Sequence, residues 1–175
     1  MAPRRRGACI LDLDKHIRNE HIGRYLLQCS LAGLVVFVLL LVLDVVSQEV
    51  LIASLGASAF IAFAVPMHLQ SSPRHMVGGY AVGIVAGCTM SLLGDWVGFM
   101  GMPGNTSVIV FSALATSIAM FLMVVTKTEH PPAAALALGF VINEWTGVTI
   151  LVVFAGIVGL SLLKRLVLPV LMDLL

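Results

Sequence analysis

The sequence predicts an all-α protein, a polytopic transmembrane bundle of four long spans and two short interrupted helices. Three observations carry this. The chain is 59% hydrophobic and only 11% charged, with a mean hydropathy of +1.05. Soluble domains carry about 25% charged residues, and a chain of this length folded in water could not hide so much apolar surface. Apolar runs at 22–43, 76–94, 107–125 and 147–170 are each long enough for a bilayer, which needs roughly 17–25 residues. Two shorter runs, 50–66 and 131–142, lie between them.

In chain order, residues 1–21 read as a cytoplasmic N-terminal segment. Arg4, Arg5 and Arg6 resemble the start of a leader, but the apolar run that follows is long enough to span, and Asp12, Asp14 and Glu20 do not suit a transit peptide. Ile10, Leu13 and Ile17 have helical spacing among charges, so a short amphipathic helix on the membrane surface is expected there. Residues 22–170 form one transmembrane domain, and 171–175 form a tail. Cys9, Cys29 and Cys88 fit no metal spacing or disulfide pair and read as small packing residues.

Charge placement decides whether the short runs cross. With six crossings and a cytoplasmic N-terminus, all ten Lys and Arg fall on the cytoplasmic side, and the outer loops hold Asp44, Glu49, Asp95 and Glu144 with no base. With four crossings, Arg74 and Lys127 move outside. The preference of Lys and Arg for the inside favours six.

Six crossings divide into two halves, about 22–94 and 107–170, each long–short–long. An odd number of spans per half makes the second half inverted relative to the first, a plan common in secondary transporters. Gly79, Gly83 and Gly87 form a stripe of small residues, and Ala155 and Gly159 repeat the spacing beside Gly156. Such stripes let helices approach closely in lipid and read as scaffold.

No acid or base lies in the middle of a long span, which disfavours a relay of buried carboxylates. The chemistry is then expected at helix ends. The second short helix opens Thr128-Glu129-His130-Pro131-Pro132-Ala133. Proline suits a first helical turn, and Thr128 or a neighbour can cap it. At 1.5 Å per residue this helix reaches roughly 18–20 Å, short of a core about 30 Å thick. Its start should therefore be recessed, offering N–H groups and about half a positive charge to an anion. In the first short helix, Ser54, Gly56, Ala57 and Ser58 sit where a break is expected, with a new helix start near Ala57. Two half-helix starts would then face each other across a small anion. His130 reads as a donor to that anion, a titrating gate near pH 6–7 or a cap for its own helix. Arg74 and Glu129 stand at the cytoplasmic mouth, where Arg74 serves entry or topology alone.

The stretch Glu129-His130-Pro131-Pro132-Ala133 resembles the signature of the HPP family of integral membrane proteins. Gly56-Ala57-Ser58, then Phe63-Ala64 with Pro66, then Pro73-Arg74 with Gly78-Gly79 continue the resemblance in order, and it covers about residues 22–170. Family members are usually described as four-span proteins, and some plant and cyanobacterial relatives are linked to nitrite transport. The resemblance therefore implies a small monovalent anion as substrate. Ala134 and Tyr80 depart from the family pattern, which widens the implied substrate from nitrite to similar anions.

The expectation is a transporter or channel for a small inorganic anion, embedded in a lipid bilayer (a bacterial inner membrane) and assembled as a homodimer. No cofactor, metal or nucleic-acid partner is expected. The rival readings are a membrane enzyme using His130 and Glu129, and a non-transporting subunit or sensor.

Overall fold

A computed structural model describes residues 22–42, 49–171 and 173. The expected amphipathic helix over residues 10–17, Cys9 and most of the tail lie outside the described residues. Cys29 and Cys88 carry free thiols.

Among the described residues every regular element is helical: α1 (Ile22–Val42), α2 (Glu49–Ala64), α3 (Pro73–Phe99), α4 (Gly104–Thr126), α5 (Pro131–Ile142) and α6 (Gly147–Val167). One-turn 3-10 helices follow α2 at Leu69–Ser71 and α6 at Leu168–Val170. Among the described residues, three helices are long and apolar enough to cross a membrane: α3, α4 and α6 with its 3-10 extension. The sequence led to four. The difference lies in α1, which has 21 residues but whose described apolar stretch is the shorter Leu26–Val38. The two short helices fall where expected.

Local chemistry sets the helix ends. Pro73 opens α3, and Pro131 with Pro132 opens α5, because a missing N–H costs nothing in a first turn. Thr146 and Thr149 form a reciprocal cap on α6, each hydroxyl accepting the other's backbone N–H. α4 ends on Lys127, whose φ of 54° reverses the chain so that Thr128 N–H reaches back to Met123 O at 2.9 Å.

The helices alternate in direction. Gln28 near the start of α1 donates to Phe63 O near the end of α2. Arg74 at the start of α3 donates to Thr126 O at the end of α4. The start of α3, the end of α4 and the end of α6 thus share one end of the bundle, which carries Arg74, Lys127, Lys164 and Arg165. The opposite end carries Glu49, Asp95 and Glu144, and there Trp145 Nε1 donates to Ser91 Oγ. Among the described residues, the charges of α3 to α6 therefore separate between the two ends as six crossings would have them; the N-terminal bases and Asp44 lie outside the described residues.

The helix contacts have a hidden symmetry. The packed pairs are α1–α2, α4–α5, α2–α5, α3–α6, α3–α4, α1–α6, α3–α5 and α2–α6. Exchanging α1 with α4, α2 with α5 and α3 with α6 maps the set onto itself, with α2–α5 and α3–α6 unchanged, as two related halves require. The fit is unequal. α3, α4 and α5 pack extensively against one another, while the corresponding α6 meets α1 and α2 only loosely.

Glycine accounts for the tight side. A methyl group on Gly83 would lie 2.5 Å from Ala133 O, and one on Gly87 2.7 Å from Ala137 O, so only a bare backbone lets α3 and α5 meet. On the loose side, Gly159 has nothing within 4 Å of such a methyl group. An apolar groove of about 300 Å³ runs between α1 and α6, walled by Leu34, Val38, Gly159 and Leu163.

Candidate functional site

Ser54, Ser58, Tyr80 and His130, all buried in this apolar bundle, converge where α2, α3 and the start of α5 meet. Ser54 and Ser58 lie one turn apart on α2, so both face the same way. Ser58 Oγ lies 2.8 Å from Tyr80 Oη on α3 and 2.9 Å from His130 Nε2 at the head of α5. Tyr80 Oη also reaches Ser54 Oγ at 3.4 Å. His130 Nδ1 lies 3.0 Å from Gln70 O in the first 3-10 turn. These side chains are sealed: His130 and Ser54 are 1% exposed, and Ser58 and Tyr80 not at all.

Hydrogen-bond rules orient the chain. A carbonyl only accepts, so Nδ1 carries the proton and donates to Gln70 O. In the neutral imidazole, Nε2 then accepts from Ser58 O–H, and Ser58 accepts from Tyr80 O–H. The result is a head-to-tail run from Tyr80 through Ser58 to His130. Ser58 has a second acceptor within reach, Ser54 O at 3.0 Å. His130 lies in the connection between α4 and α5. Burial lowers its pKa from the ordinary 6.5 to about 4; the bond to Gln70 opposes this and the neighbouring His75 adds to it. The imidazole is therefore neutral at neutral pH, which replaces the expected gate near pH 6–7.

At the basic end the 3-10 turn is held from two sides. His130 binds Gln70 O, and the buried Lys164 of α6 donates to Ser71 O. Asp173 accepts from Met67 N–H at 3.0 Å, tying the chain beyond α6 to the same connection. His75 bonds Ser72 Oγ through Nδ1 and faces Glu129 at 3.5 Å through Nε2.

Of the residues singled out from sequence, Ser54, Ser58 and His130 come together. Gly56 and Ala57 do not. α2 runs unbroken from Glu49 to Ala64, so no helix starts at Ala57. The physical reason is that Ser54 and Ser58 hydroxyls bond back to Leu51 O and Ser54 O, which satisfies them inside a continuous helix. Gly56 faces Val36 of α1, and Ala57 is exposed.

The start of α5 also differs from expectation. Pro131 and Pro132 have no N–H to offer, and Ala133 N–H donates to His130 O at 2.9 Å. Ala133 is fully buried against Gly83. The two opposed backbone anion sites are therefore not formed, and the donors here are side chains. His130 occupies the cap position but makes no side-chain cap bond. Thr128 pairs with Thr126 Oγ1 at 2.7 Å and packs on Gly78. Arg74 and Glu129 lie at the basic rim, and a cavity of about 360 Å³ lined by Met120, Met123 and Ala134 opens beside Glu129 and His130.

Sequence reasoning missed Tyr80, the Gln70 carbonyl and Lys164. A tyrosine inside a glycine-rich apolar helix was the available signal, since a buried phenol needs a partner. No grouping of three or more metal-ligating side chains occurs among the described residues.

Comparison with known proteins agrees with this architecture. The family model described as HPP, transmembrane region, matches residues 18–172. Two transmembrane proteins of Dictyostelium discoideum are similar. One is 33% identical over 103 residues, covering 57% of this chain and 34% of the relative. The other is 32% identical over 123 residues, covering 67% and 37%. The chain thus spans about a third of the length of these relatives. No solved structure matches it. The chain belongs to the HPP family and is an integral membrane protein.

Proposed function

We propose that this HPP-family membrane protein carries a small monovalent inorganic anion, nitrite or one like it, through the junction of α2, α3 and α5. The observation that supports this is the sealed run of neutral donors Tyr80, Ser58 and His130, with no carboxylate among their hydrogen-bond partners in the described residues. Glu129, next in sequence to His130, faces His75 instead.

Neutral donors suit a transported ion. They hold a single negative charge loosely enough to release it, whereas a divalent anion would keep too much unpaired charge in a dry site. The donors already satisfy one another, so an entering anion exchanges one hydrogen bond for another, and hydroxyl rotation makes that exchange cheap. Arg74, Lys127, Lys164 and Arg165 gather positive potential at one end and draw anions toward it.

A second reading has one observation in its favour. Ser58 Oγ beside His130 Nε2, with Nδ1 held from behind, is the arrangement of a nucleophile and its base. Substrate would have to reach Ser58, which is fully buried, so transport is the better reading.

Flux into phospholipid vesicles separates these readings. Saturable uptake of nitrite or a similar anion, lost in Tyr80→Phe and Ser58→Ala, is the expected result. Turnover of a small ester without anion uptake favours the enzyme. Absence of both leaves a subunit or sensor and ends the transport reading.

A further inference from the structure

The run through Ser58 has two complete arrangements that share the same heavy-atom positions. With His130 neutral, Ser58 O–H points to Nε2. With His130 protonated, Nε2–H points to Ser58 Oγ, and Ser58 turns its hydrogen to Ser54 O at 3.0 Å. Nδ1–H stays on Gln70 O in both. The imidazolium is thus fully hydrogen-bonded without any rearrangement of the fold.

Its charge is a different matter. α2 presents Ser54 and Ser58, which are neutral. α3 presents Tyr80, along with His75 and Arg74 at the rim. The 3-10 turn presents a carbonyl, and α6 reaches that turn with Lys164, another cation. Glu129, from His130's own connection, is an acid at the rim; it is 43% exposed and faces His75. Asp173, at the same end, is taken up by Met67 N–H beside Lys164, so among the described residues a buried imidazolium has no carboxylate bonded to it, and burying an unpaired charge is costly. A mobile anion in the junction is the partner that makes protonation favourable, and the proton in turn makes the anion favourable.

From this we infer that His130 takes up a proton at Nε2 with each anion and gives it up with that anion, making the protein an electroneutral proton–anion symporter. The inference rests on the anion reading above. One proton adds to the Nε2 lone pair as one anion binds, both leave on the far side, and His130 returns to its starting tautomer because Nδ1 keeps its own proton, which it donates to Gln70 O throughout. Burial keeps the empty site neutral at neutral pH, so proton leakage without an anion is suppressed.

The test uses the whole chain in phospholipid vesicles with a trapped pH dye. Sodium nitrite and sodium nitrate are applied outside, and protein-free vesicles correct for nitrous acid crossing the bare bilayer. The expected result is acidification of the lumen at one proton per anion, without need of a potassium ionophore. Saturable anion uptake that requires the ionophore and leaves the lumen pH unchanged overturns the coupling but leaves anion transport standing. No uptake above protein-free vesicles for either anion sinks the transport reading and the coupling with it. His130→Gln keeps a hydrogen-bonding group near Nε2 but cannot carry a proton, so acidification should be lost. Acidification at the wild-type ratio in that variant also overturns the inference. Should the variant fail to fold, the wild-type stoichiometry still decides.

Discussion

Ser58 and His130, 72 residues apart in the chain, meet at 2.9 Å between Oγ and Nε2 in the interior of the bundle. The contact requires α2 and the head of α5 to be packed side by side, so it reports on the whole fold as well as on the site. Ser58→Ala should leave Nε2 buried with no donor, while Tyr80 keeps only its longer contact to Ser54. A loss of about 1–3 kcal/mol is expected from the orphaned group. Thermal unfolding of the detergent-solubilised protein measures it, and an unchanged melting temperature would contradict the hydrogen-bond chain.

The glycine stripe gives a paired prediction. Gly83→Ala drives a methyl group against the backbone oxygen of Ala133, which cannot yield without moving α5. Overpacking of this kind costs about 1–3 kcal/mol or more. Gly159→Ala enters open space and should change stability by less than about 0.5 kcal/mol. Equal effects at the two positions would contradict the unequal packing of the halves.

Acid should destabilise the protein through His130. Its folded pKa of about 4 lies below the ordinary 6.5, so between these values the unfolded chain binds more protons. The corresponding stability is present above about pH 6.5 and is lost as pH falls toward 4. His130→Gln should flatten that part of the melting-temperature profile. Parallel profiles for the two proteins would remove His130 as the cause.

Whether α5 crosses can be read from its two flanks. Lys127→Cys and Glu144→Cys, each in a chain without its native cysteines, should label with an impermeant reagent from opposite sides of the membrane. Labelling of both from the same side would make α5 re-entrant and rule out six crossings.

Much of the architecture was legible because its signals are local. Pro73 and the Pro131-Pro132 pair mark helix starts, the charges of Arg74 and Lys127 predict which ends lie together, and the glycine spacing on α3 announces a close contact. The site was only half legible. Ser54, Ser58 and His130 were recognisable, but their geometry was misread, since Gly56 suggested a break that the two serine hydroxyls make unnecessary. The proline pair predicted a helix start correctly and an anion site wrongly, because the residue that starts the helix also removes the donors. Lys164 read as a topology-setting charge near the end of a span. Its bond to Ser71, 93 residues away, depends on the packing of α6 and leaves no mark in local sequence.

The unequal fit of the two halves has a mechanical consequence. α3, α4 and α5 are locked by backbone-to-backbone seating, so they can serve as a stator. The groove between α1 and α6 and the thin contact between α2 and α6 are the low-friction boundaries. Both boundaries run along α6, whereas Gly139 of α5 is seated directly on Val50 and Leu51 of α2, so Ser58 and His130 lie on the same side of them. Movement along those boundaries therefore displaces α6 and strains the Lys164–Ser71 bond first, leaving the Ser58–His130 contact in place.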